Sequence, residues 1–296
     1  MGSDHACLEI LSVNLLDEER QRVDELRHLA GTLGLEFGWH YLLDLTWVLR
    51  HLGTIRGQRI MDAGAGTGII QWYLAQQGAT VYSVDRLDRS ALPLRLRAHA
   101  RVRGLRPADM LSSSAVMERE RTTLAGGARS RRFFRNVQSI LRGMLPRREG
   151  EVILYNEDLA HLSELQDNSI DTIVSISSLE HNTPEGLEGV VTEMLRVLKP
   201  GGRIIATLCT AGQTDWFHEP SKGMCYSAAT LKRIFQLPAD LADNYGDYER
   251  QMGELRTCAE LRDNLAMFYS RSGNNGMPWG KWDPQYQPVG VIKTKA

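Results

Sequence analysis

Residues Asp62-Ala63-Gly64-Ala65-Gly66-Thr67-Gly68 carry the strongest chemical signal in the chain. They follow the apolar run Arg59-Ile60-Met61 and precede Ile70, Trp72, Tyr73 and Leu74, so they read as a strand turning into a helix. Glycines there let the backbone turn tightly and let a ligand approach where a Cβ would collide. The helix start behind them offers free N–H groups and a partial positive charge. A second strand, 80–84, ends in Asp85, nineteen positions after Gly66. A carboxylate at that place can accept both hydroxyls of an adenosine ribose. The rival ligand is a nicotinamide or flavin dinucleotide, but the spacing here is GxGxG, and the third glycine of GxGxxG would fall on Ile69. Asp62 would also repel a pyrophosphate, whereas it attracts a ligand bearing an ammonium and a sulfonium.

These residues need strands and helices that alternate. Helical patterns are expected over 15–30 and 39–49, strands at 59–62, 80–84, 152–155, 170–176 and 203–208, and a helix over 184–198 that ends at Lys199-Pro200-Gly201-Gly202. Residues 289–293 are expected to form a late edge strand. Alternation implies right-handed crossovers and a parallel sheet covered on both faces. The expected fold is therefore α/β: a doubly wound, Rossmann-like, mostly parallel sheet with an N-terminal helical cap and a long, mainly helical insertion after strand two. The chain reads as one domain over 1–296, with a cap at 1–55, a core at 56–212 and a C-terminal acceptor-side region at 213–296.

The insertion, 88–150, is several-fold longer than a crossover needs. Residues 87–150 hold fifteen arginines against five acids, a local charge of +10 in a chain whose formal net charge is −1. Phe133, Phe134, Val137, Ile140, Leu141, Met144 and Leu145 fall at helical spacing among Arg131, Arg132, Arg135 and Arg142. Such a basic amphipathic helix suits an anionic membrane surface, an acidic partner or the protein's own core.

Composition narrows the classes. Hydrophobic content of 42% and charged content of 24% are those of a soluble globular protein. Cys7, Cys209, Cys225 and Cys258 form no CxxC pair, which argues against a disulfide framework or a structural zinc site. No apolar run approaches the ~20 residues that span a bilayer, and the N-terminus lacks the pattern of a signal peptide. A cytoplasmic location is expected.

Several motifs, in order, resemble those of the class I S-adenosylmethionine-dependent methyltransferases, over about 56–210 without the insertion. Residues 62–68 resemble the glycine-rich first motif and Asp85 the ribose-binding acid. Glu157-Asp158-Leu159 resembles the acidic turn beside the adenine, Ser177-Ser178-Leu179-Glu180-His181 the end of strand four, and Leu198-Lys199-Pro200-Gly201-Gly202 the turn before strand five. The resemblance implies S-adenosyl-L-methionine as cofactor. Gly64, Ala65 and Gly66 would lie against its methionine part, Asp62 would orient its ammonium and Asp85 would hold its ribose. Arg86 would flank the adenine, Asp158 would accept from the adenine amino group, and Leu159 would offer its backbone N–H. Ser177 would complete the cofactor site. A helix N-cap is the alternative for Asp158.

Methyl transfer needs alignment, exclusion of water and, for a hydroxyl acceptor, a base. Ligands in such sheets bind beyond the carboxyl ends of the strands, which directs attention to His181 and to His218 after strand five. Each is a candidate base, with a structural role for His181 and a surface-loop position for His218 as alternatives. Trp39 and Trp47 read as core, and His40 and Tyr41 as possible acceptor contacts. A small-molecule acceptor is favoured. A lipid-linked or nucleic-acid acceptor held by residues 89–148, and a non-catalytic cofactor-binding protein, are the alternatives.

Overall fold

The computed structural model describes residues 6–123, 150–272, 277 and 280–296. They form two compact units, 1–53 with 160–296, and 54–159.

The 54–159 unit is built on parallel strands β2 (Arg59–Ala63), β3 (Thr80–Asp85), β4 (Arg101–Gly104) and β5 (Glu151–Asn156), in the order β2-β3-β5-β4. The centres of β2, β3 and β5 are buried, as the near-continuous apolar runs of a covered parallel sheet require. Helix Ile70–Gln76 joins β2 to β3 and buries Ile70, Trp72, Leu74 and Ala75. Where β5 begins, a Cβ on Gly150 would run into the backbone carbonyls of Ala75 and Ala79, so only glycine fits.

The expected helical excursion after β3 is corrected here. Residues 101–104 return to the sheet as β4, pairing in parallel with β5 from Arg101↔Glu151 to Gly104↔Leu154. Val102 sits between two arginines, and Arg103 reaches Glu151 at 3.2 Å. Charged side chains suit an edge strand, and they hid this one in the sequence. Residues 113–123 are helical. The expected amphipathic helix around Phe133 lies outside the described residues.

The other unit, 1–53 with 160–296, has the order β1-β10-β7-β6, from β1 (Cys7–Ile10), β6 (Ile170–Ile176), β7 (Leu198–Thr210) and β10 (Gln287–Thr294). β6 and β7 are parallel, and β10 runs antiparallel between β7 and β1. The late strand is therefore interior, and the edge belongs to β1, whose four residues alternate half-buried and buried. Strands β8 (Trp216–His218) and β9 (Gly223–Cys225) make a small antiparallel pair. Helix Pro184–Val197 starts on Thr183, whose Oγ1 accepts the Gly186 N–H at 3.2 Å, with proline at the first turn. Helix Tyr41–Leu52 is buried along almost its whole length, with Trp47 packed flat against the Cα of Gly290 in β10. Trp39 and Trp47 are core residues, as expected. Together these elements give the mostly parallel, doubly wound architecture read from the sequence.

Candidate active site

In the 54–159 unit, β2 ends at Ala63 and the chain turns through Gly64 (φ +76°) and Gly66 (φ +47°), left-handed conformations that glycine adopts without strain. The amides of Gly64 and Ala65 both donate to Val84 O at 2.9 Å, which ties the turn to β3. Gly66 N–H donates to Asp85 Oδ2 at 2.7 Å, and Leu87 N–H to Asp85 Oδ1 at 2.8 Å. Asp85 is thus fixed at the tip of β3 beside the glycine loop.

Beneath the loop runs a network the sequence reading missed. Gln71 Nε2 donates to Gly68 O at 3.1 Å, and Ser83 Oγ donates to Gln71 Oε1 at 2.7 Å. Arg89 Nη1 reaches Ser83 Oγ at 2.6 Å and Gly66 O at 3.2 Å, while Nη2 reaches Ser83 O at 2.6 Å and Tyr155 O at 3.2 Å. Counted by sequence as one of fifteen basic residues, Arg89 is buried and braces the loop, β3 and β5.

Asp62 is 1% exposed, and its Oδ2 has no hydrogen-bond partner among the described residues. Burial pushes its carboxyl up to about 7; Asp85 adds to the rise and Arg89 opposes it. A buried carboxylate oxygen without a donor costs free energy that a cationic ligand group can recover. The site therefore fits the ammonium end of S-adenosyl-L-methionine. At the far end of the cradle Glu157 N–H donates to Asp85 O at 2.9 Å. Asp158 is exposed and no helix begins there, so the N-cap alternative fails; its N–H donates to Glu157 Oε1 at 3.1 Å. Leu159 is half-buried and Arg86 exposed. Arg106 holds Asp109 and Glu157 together at 3.0 Å each and lies over the Tyr155 ring.

In the other unit, Ser177 follows β6 with φ +44°, a strained conformation for a residue other than glycine, of order 1–3 kcal/mol. Its N–H donates to Thr207 O at 3.0 Å and its Oγ donates to Glu180 Oε1. Glu180 is buried and its Oε2 has no partner among the described residues; burial raises its carboxyl, with His181 opposing. His181 is exposed, with Nδ1 3.1 Å from Lys222 O. His218 is 3% exposed, not a surface-loop residue, and burial lowers its imidazole. Its Nδ1 lies 2.7 Å from Ser221 Oγ, and Nε2 has no partner among the described residues. His40 and Asp44, also buried, meet at 2.6 Å through Nδ1 and Oδ2. Their four-residue spacing on one helical face was visible in the sequence and would have signalled the pair. Among the described residues no group of His, Cys, Asp and Glu is arranged to hold a metal ion.

Residues 135–206 match the family model described as a methyltransferase domain. The ubiquinone biosynthesis O-methyltransferase of Bordetella avium is 33% identical over 85 residues, 29% of this chain and 33% of that protein. The protein of the same name from Leptothrix cholodnii is 36% identical over 56 residues, 19% of this chain and 24% of that one. The chain thus spans a third or less of the curated relatives it matches. Among solved structures, 1,6-didemethyltoxoflavin-N1-methyltransferase of Burkholderia thailandensis aligns with a TM-score of 0.45 at 13% identity, covering 96% of this chain and 86% of that one. Over these segments the chain is similar to methyltransferases.

Proposed function

We propose that this protein transfers a methyl group from S-adenosyl-L-methionine to an oxygen or nitrogen of a small-molecule acceptor, as one cytoplasmic methyltransferase domain. The observation that carries this reading is the unpartnered, buried oxygen of Asp62 beside the positive-φ glycines and Asp85. Asp62 would take the ammonium, Gly64, Ala65 and Gly66 would lie against the methionine part, and Asp85 would hold the ribose. Arg86, Asp158 and the Leu159 N–H would border the adenine. The cofactor supplies a methyl group already activated on a sulfonium. The chain's own tasks are to orient the acceptor, keep water out and remove a proton where the acceptor is a hydroxyl. His218 is the better placed of the two histidines proposed for that chemistry, because it is buried and His181 is not.

A small-molecule acceptor is favoured over a membrane or nucleic-acid partner by what the basic segment does internally. Arg89 is buried, Arg97 donates to three backbone carbonyls, and Arg106 is paired with two acids. Incubating the full-length protein with labelled S-adenosylmethionine and metabolite extracts, then identifying the labelled product, tests the reading. Label entering only lipid or nucleic acid would overturn the acceptor class.

A further inference from the structure

We propose that Arg106, carried on the turn after edge strand β4, is a positioning residue that sets the cofactor site's selectivity for adenine by holding residues 156–158 in place. The proposal rests on the methyl-transfer reading above and deepens it.

The arm that carries Arg106 is built to reach this place. β4 extends the sheet by one strand beyond β5, and Leu105 N–H donates to Leu154 O at 2.8 Å where the ladder ends. The chain then folds back through one tight helical turn, Pro107–Asp109. A Cβ on Gly104 would lie 2.5 Å from Arg106 O and 3.2 Å from Met110 N, so the fold-back demands glycine. Asp109, 1% exposed, grips both sides of the turn. Its Oδ2 accepts the Arg106 N–H at 2.9 Å and Nε at 3.1 Å, and its Oδ1 accepts Nη2 at 3.0 Å. Asn156 N–H donates to Asp109 Oδ1 at 3.1 Å, and Asn156 Nδ2 to Asp109 O at 3.2 Å. Burial pushes the Asp109 carboxyl up, but Arg106 and the Asn156 N–H outweigh it and hold the group below its ordinary value. The bracket therefore stays charged.

From that bracket the guanidinium reaches the turn after β5. Nη2 donates to Asn156 O at 2.8 Å and Nη1 to Glu157 Oε2 at 3.0 Å. Glu157 Oε1 in turn accepts the Asp158 N–H at 3.1 Å, and Glu157 N–H donates to Asp85 O at 2.9 Å. One planar fork thus serves Asp109, Asn156 and Glu157 together, which a lysine ammonium cannot match. Its contacts converge on the turn that would border the adenine. An acid aimed at the 6-amino group accepts from adenine and repels the carbonyl oxygen that hypoxanthine has there. That discrimination needs the acid held still, since a loose turn lets it swing away.

The test compares S-adenosylhomocysteine with S-inosylhomocysteine, in which a carbonyl replaces the 6-amino group, by calorimetric titration of the full-length protein. Wild type should bind the adenosyl compound at least about tenfold more tightly. R106M should narrow that ratio to within about threefold, and R106K, which keeps the charge but not the fork, should fall between. R103M, at an exposed β4 position paired with Glu151, should keep the wild-type ratio. D158A should also narrow the ratio, and adding R106M should narrow it no further, because Arg106 acts through Asp158. A ratio is insensitive to a general loss of stability, and R106K carries the test if R106M does not fold. The wild-type ratio in R106M or R106K, or a further fall in the double variant, overturns the proposal. So does a wild type that binds both compounds equally. If S-adenosylhomocysteine fails to bind the wild type at all, the methyl-transfer reading falls instead.

Discussion

Gly66 gives its backbone N–H to Asp85 Oδ2 across nineteen positions of sequence, at 2.7 Å. Leu87 occupies the other oxygen at 2.8 Å, so the carboxylate is oriented before any ligand arrives. Each oxygen keeps a further lone pair for a ribose hydroxyl. The same contact makes the acid a brace for the loop that would cradle the methionine end.

Asp85→Ala should therefore do two things. It removes hydrogen bonds to a charged acceptor, about 1.5–3 kcal/mol each, and it loosens Gly66. S-adenosylhomocysteine affinity should fall at least about tenfold while the fold persists. An unchanged dissociation constant in a folded variant would place the ribose elsewhere.

Arg89→Met should destabilise the protein, because the carbonyls of Ser83, Gly66 and Tyr155 lose a buried donor. An orphaned buried acceptor costs about 1–3 kcal/mol. Thermal unfolding should show that loss, whereas Arg86→Met, at an exposed position, should leave the midpoint unchanged. Equal midpoints for the two variants would contradict the bracing role.

Asp62 predicts a pH dependence of definite sign. Its folded-state carboxyl titrates near 7 against an ordinary 3.8, so the fold takes up a proton there, and this contribution to stability is lost as pH rises from about 4 through 7. Asp62→Asn should remove that decline. Binding of a ligand ammonium needs the charged form, so S-adenosylmethionine affinity should drop below pH 7, approaching about tenfold per unit. Affinity that is flat from pH 6 to 8 would show that Asp62 does not meet the ammonium.

Gly290→Ala tests the packing of the other unit. A Cβ there would drive into the Trp47 ring, which is 2% exposed and has little room to move. A loss of roughly 1–3 kcal/mol is expected by denaturant unfolding. A neutral effect would mean that helix Tyr41–Leu52 yields easily.

The sequence made the central strands and the glycine loop legible because both are local signals: apolar runs bounded by glycines, and an acid at a fixed distance. β4 was not legible, since an edge strand with Arg101 and Arg103 around one valine reads as a charged loop. β10 looked like an edge because nothing in 289–293 tells that 7–10 pairs with it. Arg89 was hidden for a similar reason. Its type suggests solvent, and only the fold gathers the carbonyls of Ser83, Gly66 and Tyr155 around it. The His40–Asp44 pair, by contrast, was written in the four-residue spacing of one helix.

Calorimetric titration of the purified protein with S-adenosylhomocysteine, and separately with NAD, tests the central claim most directly. The glycine loop, Asp62 and Asp85 predict saturable one-site binding of S-adenosylhomocysteine and no binding of NAD. Saturable NAD binding without S-adenosylhomocysteine binding would contradict the account.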